Sequence, residues 1–231
     1  MNKIFFKFSL ALVLLINTVI FVLFFPDLII LLEDYLYPLF FIYFIVDSFS
    51  VIVPMYNDSI YSSKMQKSLY REVLEYDKEK LKKNVHKNNK IAIIIFVLYG
   101  LGIMLVGLSF NHFEWFDKKI LYLLFFAINF SDYFCIMLWC PFREIFLKNS
   151  CCNTCRISNW DRLMKFAILI FIPNIFTITI FVLGVLIFLY WEYHHFVHPE
   201  RFYRVSNQTL WCTNCDKVTC GKKSKNINKK E

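Results

Sequence analysis

The sequence predicts an all-α fold: a polytopic integral membrane protein of about five transmembrane helices with a small cysteine-rich module beside the membrane. Three observations predict it. Residues 166–191 run for 26 positions without a charged side chain, and a helix that long, at ~1.5 Å per residue, exceeds a hydrocarbon core of about 30 Å. The 231-residue chain is 58% hydrophobic and carries 27 Phe, far above a soluble composition, and these residues fall in blocks. The Lys and Arg between the blocks alternate in abundance, as sorting of positive loops to the inner face requires.

Taken in order, the predicted spans are 5–25, 36–56, 91–110, 120–140 and 166–191. Helix is expected for each, because a lone strand in lipid leaves its backbone unpaired. Residues 1–56 thus form two N-terminal transmembrane helices. Lys3 and Lys7 precede an apolar run too long for a signal peptide and without a small-residue cleavage site, so the first span reads as an uncleaved anchor. Residues 57–90 form a basic segment. Within 59–87, Met65, Leu69, Val73, Tyr76, Leu81 and Val85 recur at helical spacing and Ser63 with Gln66 suits a capping box, predicting an amphipathic helix at the membrane surface or a solvated helical connector and loop that packs on the other cytoplasmic pieces. Residues 91–140 hold two further spans, 141–165 a cysteine-rich loop, 166–191 a fifth transmembrane or re-entrant segment, and 192–231 a basic tail with cysteines.

Lys and Arg number two in the N-terminal stub, none in 26–35, nine in 57–90, two in 111–119, five in 141–165 and eight in 192–231. The alternation puts the N-terminus and the 57–90 loop on the cytoplasmic side of a cell membrane or its equivalent. The tail breaks the pattern. A plain crossing by 166–191 places its eight bases outside. Re-entry through a turn at Pro173-Asn174 would return them inside but leaves 166–172 as an arm too short to cross, so a plain crossing is expected. The net charge of +8 suits a bilayer with anionic headgroups. No basic, aromatic-interleaved fold surrounds the lysines, which excludes nucleic acid as a partner. No nucleophile–base pair, phosphate loop or nucleotide motif occurs, so the sequence names no reaction.

Seven of the eight cysteines lie at the edges of the spans, and Cys135 reads as a small core residue. Cys152 and Cys155 form one Cys-x2-Cys pair, Cys212 and Cys215 another. Two such turns supply the four thiolates of a tetrahedral zinc site, with Cys140, Cys151 and Cys220 as additional ligands. The 56 residues between the pairs weaken this reading. An iron–sulfur cluster is a second choice of cofactor. Disulfides or a thiol redox couple compete with both.

His194 and His198, at i and i+4, are weaker metal or proton candidates. They equally suit a belt of interfacial rings. Asp47, flanked by Ser48, and Asp132, near Asn129 and Ser131, fall near the middle of their spans at similar depth. An intramembrane acid costs ~3 kcal/mol or more and needs a partner or water. No basic residue lies inside a span to neutralise these acids, which favours a proton or cation. Three functions follow: a metal-binding or thiol-redox membrane protein, a small transporter or proton-coupled component built on Asp47 and Asp132, or an assembly subunit whose zinc knuckle docks a protein partner or a second copy.

Overall fold

A computed structural model describes residues 3–25, 38–40, 42–49, 67, 69–113, 117–147 and 155–211. Among the described residues the fold is helical, without strands. The main helices are α1 (Lys3–Phe24), α2 (Pro38–Phe49), α3 (Lys78–Asn111), α4 (Lys118–Met137), α5 (Asp161–Phe166) and α6 (Ile175–Val197). Four of them, α1, α3, α4 and α6, are long and apolar enough to cross a membrane. Large apolar side chains such as Leu23, Phe24, Ile93 and Leu105 stay exposed along them, as on an integral membrane protein whose solvent is lipid. The expected span at 36–56 is described only over α2. Cys151, Cys152, Cys212, Cys215 and Cys220, and with them most of the expected cysteine-rich module, lie outside the described residues.

α1 lies antiparallel to α4, with the Phe8 and Phe130 rings 5.4 Å apart. α2 adds Phe40 against Phe126 and Phe44 against Phe125, at 5.4 and 5.2 Å. Edge-to-face rings of this kind build the shared core of α1, α2, α4 and α5.

The plain crossing expected of 166–191 does not form. α5 tightens into a 3-10 turn at Ala167–Phe171 and stops, and α6 starts afresh at Ile175. Pro173 has no N–H to continue a helix. Asn174 then caps α6 by accepting from the Phe176 N–H at 3.2 Å, while Thr177 accepts from the Asn174 N–H at 2.8 Å, a reciprocal capping box. The chain therefore doubles back. Gly184 of α6 lies against Phe166 and the Arg162 carbonyl, where a Cβ would come within 2.9 and 3.1 Å. The turn itself packs with Leu121 at the start of α4 and with Val106 and Phe110 at the end of α3. The descending arm is not the seven residues counted from Phe166. Arg156–Asn159 is already a 3-10 helix, so the arm begins ten residues earlier.

α6 returns beside α3, and its end meets the start of α3. Leu81 packs with Trp191, Phe202 and Tyr203. Beyond α6 the chain clasps residues 69–73: the Val73 N–H donates to Ser206 O at 3.1 Å, the Gln208 N–H to Arg71 O at 2.8 Å and the Thr209 hydroxyl to Leu69 O at 2.6 Å. The tail up to Trp211 thus lies at the same end of the bundle as the segment before α3, opposite to the expectation from a plain crossing.

That clasp also corrects the amphipathic helix expected over 59–87. Residues 69–77 are turns and a bridge, Glu72 to Asn207. Helix begins only at Lys78, where Asp77 caps it by accepting from the Lys80 N–H at 2.9 Å. It then continues through the apolar span as one helix of 34 residues. Residues 69–73 leave the helix because their backbone bonds are made with the tail. The Ser63–Gln66 capping box lies outside the described residues.

Candidate functional site

Asp47 and Asp132 are drawn into one ionic cluster, and its bases come from positions that read as loop or stub in the sequence. Arg162 of α5 donates from Nη2 to Asp47 Oδ2 at 2.6 Å and to the Asp47 carbonyl at 3.4 Å. Lys7 of α1 donates to Asp47 Oδ1, also at 2.6 Å. Arg162 Nη1 pairs with its neighbour Asp161. One turn on, Lys165 Nζ stands 3.7 Å from Asp132 and 3.8 Å from Asp161. The expectation that no base lies beside the buried acids is therefore wrong. Among the described residues the bases Lys7, Arg162 and Lys165 stand with the acids Asp47, Asp132 and Asp161.

The local folding of each helix explains the convergence. Arg162 and Lys165 are three apart and share a face of α5. Gly184 admits α5 close to α6, which turns that face towards α2 and α4. On α4, Asn129, Asp132 and Tyr133 share the opposing face. Ser131 does not: it is exposed, and its hydroxyl donates to Ala127 O at 2.7 Å on its own helix. The period of 3.6 places it on the far side from Asn129, so the geometry leaves it out of the cluster.

The cluster is deeply buried and incompletely bonded. Lys165 and Asn129 are 0% exposed. Lys165 Nζ, both amide atoms of Asn129, Ser48 Oγ and Arg162 Nε have no hydrogen-bond partner among the described residues. The Lys165 ammonium is flanked by the rings of Tyr133 and Phe166 at 5.8 and 5.9 Å, within cation–π range. Phe44, Phe125 and Phe166 close the apolar side. An unpaired polar atom at such a place costs free energy, so the site is shaped for hydrogen bonds that the chain's own groups do not complete.

A second ionic cluster lies at the end of α6. Arg156 donates from Nε to Glu192 Oε1 at 3.0 Å, from Nη2 to Glu192 Oε2, and from Nη1 to Asn89 Oδ1 at 2.5 Å. The Trp160 indole donates to Glu192 Oε1 at 2.7 Å. Next to it, His195 Nε2 meets the Tyr203 hydroxyl at 3.2 Å, and Asn88 hydrogen-bonds the same hydroxyl. Burial pushes the Tyr203 hydroxyl up to about 12, so it stays protonated at neutral pH.

The remaining candidates stand apart. Cys155 is buried with Ala92, Ile95 and Trp160, Cys140 is also buried, and Cys135 is partly so. His194 and His198 stack with ring centroids 6.4 Å apart. His198, past the helix end, faces Glu200 at 3.2 Å. Among the described residues no three His, Cys, Asp or Glu side chains are grouped to hold a metal ion.

Sequence reasoning missed Lys7, Asp161, Arg162 and Lys165. A signal was available: buried acids demand counter-charges, and the Asp161, Arg162, Lys165 triplet immediately precedes the longest uncharged run. No protein-family model matches the chain, and neither curated proteins nor solved structures show significant similarity to it.

Proposed function

We propose that this is a small multi-pass membrane protein of transporter type, whose working centre is the Asp47, Asp132, Arg162, Lys165 cluster and whose elementary act is proton exchange between Lys165 and its flanking carboxylates. Lys165 carries this reading. It is an ammonium buried among membrane helices, two carboxylates lie just beyond direct bonding distance, and its nitrogen has no hydrogen bond among the described residues. Separations of 3.7–3.8 Å suit a bridging water or ligand group. A merely structural lock would close its bonds, as Arg162 does on Asp47. Because the proton stays within the site, it can pass from Lys165 to Asp132 without changing the site's net charge. A bare metal cation fits less well, since the three bases already neutralise the acids.

The test is infrared difference spectroscopy of protein reconstituted in vesicles, comparing mildly acidic with mildly alkaline buffer. A carboxyl band that appears in the wild type and vanishes in Asp132→Asn supports proton exchange. A wild-type spectrum without any carboxyl change, or one that Asp132→Asn leaves intact, rejects it.

In this reading the arm at 156–172 enters the membrane and α6 leaves it, so the tail joins the N-terminus and the 57–90 loop on the cytoplasmic face. The abundance of Lys and Arg in those segments supports this, with only two in 111–119. Their charge also suits an anionic inner leaflet.

A second role rests on a separate observation. Cys155 precedes the arm, and the tail up to Trp211 is bonded to the segment before α3, so both belong to the end of the bundle where the arm starts and α6 finishes. This supports a zinc site that joins Cys152 and Cys155 to Cys212 and Cys215, as a knuckle for assembly with a partner or a second copy. About one zinc per purified chain, lost in Cys215→Ser, supports this role. Iron with visible absorption would assign the thiolates to electron transfer instead.

A further inference from the structure

At the polar end of α6 a cleft of about 650 Å³ opens between α3, the start of the arm and α6. Its lining includes the polar Arg156, Asn89, Glu192 and His195 and the apolar Leu189 and Phe196. Two features define its depth. α6 carries no charge until Glu192, and α3 carries none between Lys90 and the end of the helix. Asn89 and Glu192, bridged by Arg156, therefore mark the level at which both helices change from apolar to polar. In a bilayer that level is the headgroup region. The cleft also faces outward: Leu189 is 54% and Phe196 86% exposed, two turns apart on one side of α6.

The chemistry of the lining narrows the occupant. Leu189 lies one turn to the hydrocarbon side of Glu192 and Phe196 one turn to its polar side, all three on one face of α6. Beside them Arg156 sets a guanidinium next to the carboxylate, so this pair brings no net charge to the lining. The loops at the same end are strongly basic and attract anionic lipids without discrimination. Here, by contrast, Glu192 repels a second negative group and offers an acceptor for a cation. Arg156 keeps N–H donors beyond those used on Glu192 and Asn89, and these suit a phosphate.

We propose that this cleft binds one zwitterionic phospholipid of the ethanolamine type, with its phosphate on Arg156, its ammonium towards Glu192 and its first acyl carbons along Leu189. The site is distinct from the Lys165 cluster and does not depend on it.

Native mass spectrometry of the full chain, extracted from vesicles with equal phosphatidylethanolamine and phosphatidylglycerol, tests this. The expected result is one retained phosphatidylethanolamine per chain, preferred several-fold. Leu189→Trp fills the apolar end without touching the ion pair. It should abolish retention while leaving the thermal unfolding temperature near that of the wild type. Glu192→Gln should move the preference towards phosphatidylglycerol. Equal retention of both lipids by the wild type, or retention that survives Leu189→Trp in folded protein, would overturn the proposal. Displacement by glycerophosphoethanolamine at a concentration matching the lipid would also overturn it, in favour of a soluble phosphoamine.

Discussion

Arg156 and Arg162 stand six residues apart on one arm, yet they serve ionic clusters of very different completeness. Around Glu192 the bonds close. Glu192 accepts twice from the Arg156 guanidinium and once from Trp160, and Asn89 accepts from Arg156 Nη1. Around Arg162 and Lys165, closer to the middle of the bundle, the bonds stay open although burial is more complete. Burial alone would favour the opposite order, because an unpaired polar group costs more where the dielectric is low. Incomplete bonding at the most costly place, among the described residues, is the observation on which the proposed function of the inner cluster rests, whereas the outer one fastens the arm, α3 and α6.

Four substitutions and one control break or sharpen that comparison. The largest effect is expected for Arg162→Met, which removes the guanidinium from the buried Asp47 carboxylate. A loss of about 3–5 kcal/mol follows from stranding half of a buried pair, read as a lowered unfolding temperature in detergent. Glu192→Gln comes next at about 2 kcal/mol, since the amide still accepts but no longer pairs with the guanidinium. If Glu192→Gln proved the more damaging of the two, the inner cluster would not hold the helices at all. Gly184→Ala should cost about 1–2 kcal/mol by forcing α5 off α6, because its Cβ meets the Phe166 ring and the Arg162 backbone. Gly102→Ala is the control. No atom lies within 4 Å of its Cβ, so it should be neutral or slightly stabilising, as Ala is in helices. The smallest loss, about 1 kcal/mol, is expected for Lys165→Met. No hydrogen bond is lost there, and the apolar stem is replaced in kind. Its effect should fall on the carboxyl infrared band instead. A Lys165→Met protein as destabilised as Arg162→Met would make Lys165 a structural tie.

Much of the architecture was legible because hydropathy and chain length are local properties. α1, α4 and the apolar part of α3 fall within a few residues of the expected 5–25, 120–140 and 91–110. The turn at Pro173-Asn174 was also visible, since a proline followed by a capping residue ends one helix and starts another wherever it stands. Its consequence was misjudged by counting the arm from Phe166, where the charges stop, rather than from Arg156, where the helix starts. Within the site, Asp47, Ser48, Asn129 and Asp132 stood out as polar residues in apolar runs, whereas Ser131 was separable from them only by its place on the helical wheel.

By itself, then, the sequence determined the all-helical, membrane-type build and the two acids that interrupt it, because the lipid solvent acts on each stretch of chain through its own composition. Only the tertiary structure decided which charges answer those acids and at which end of the bundle the tail lies. Lys7 and Lys165 look like stub and loop residues until α1 is laid against α4 and the arm against α6. The tail looks free to lie at either end until its backbone is bonded to residues 69–73. Pairing and sidedness depend on contacts between segments up to 140 positions apart, and no local property of the chain encodes them.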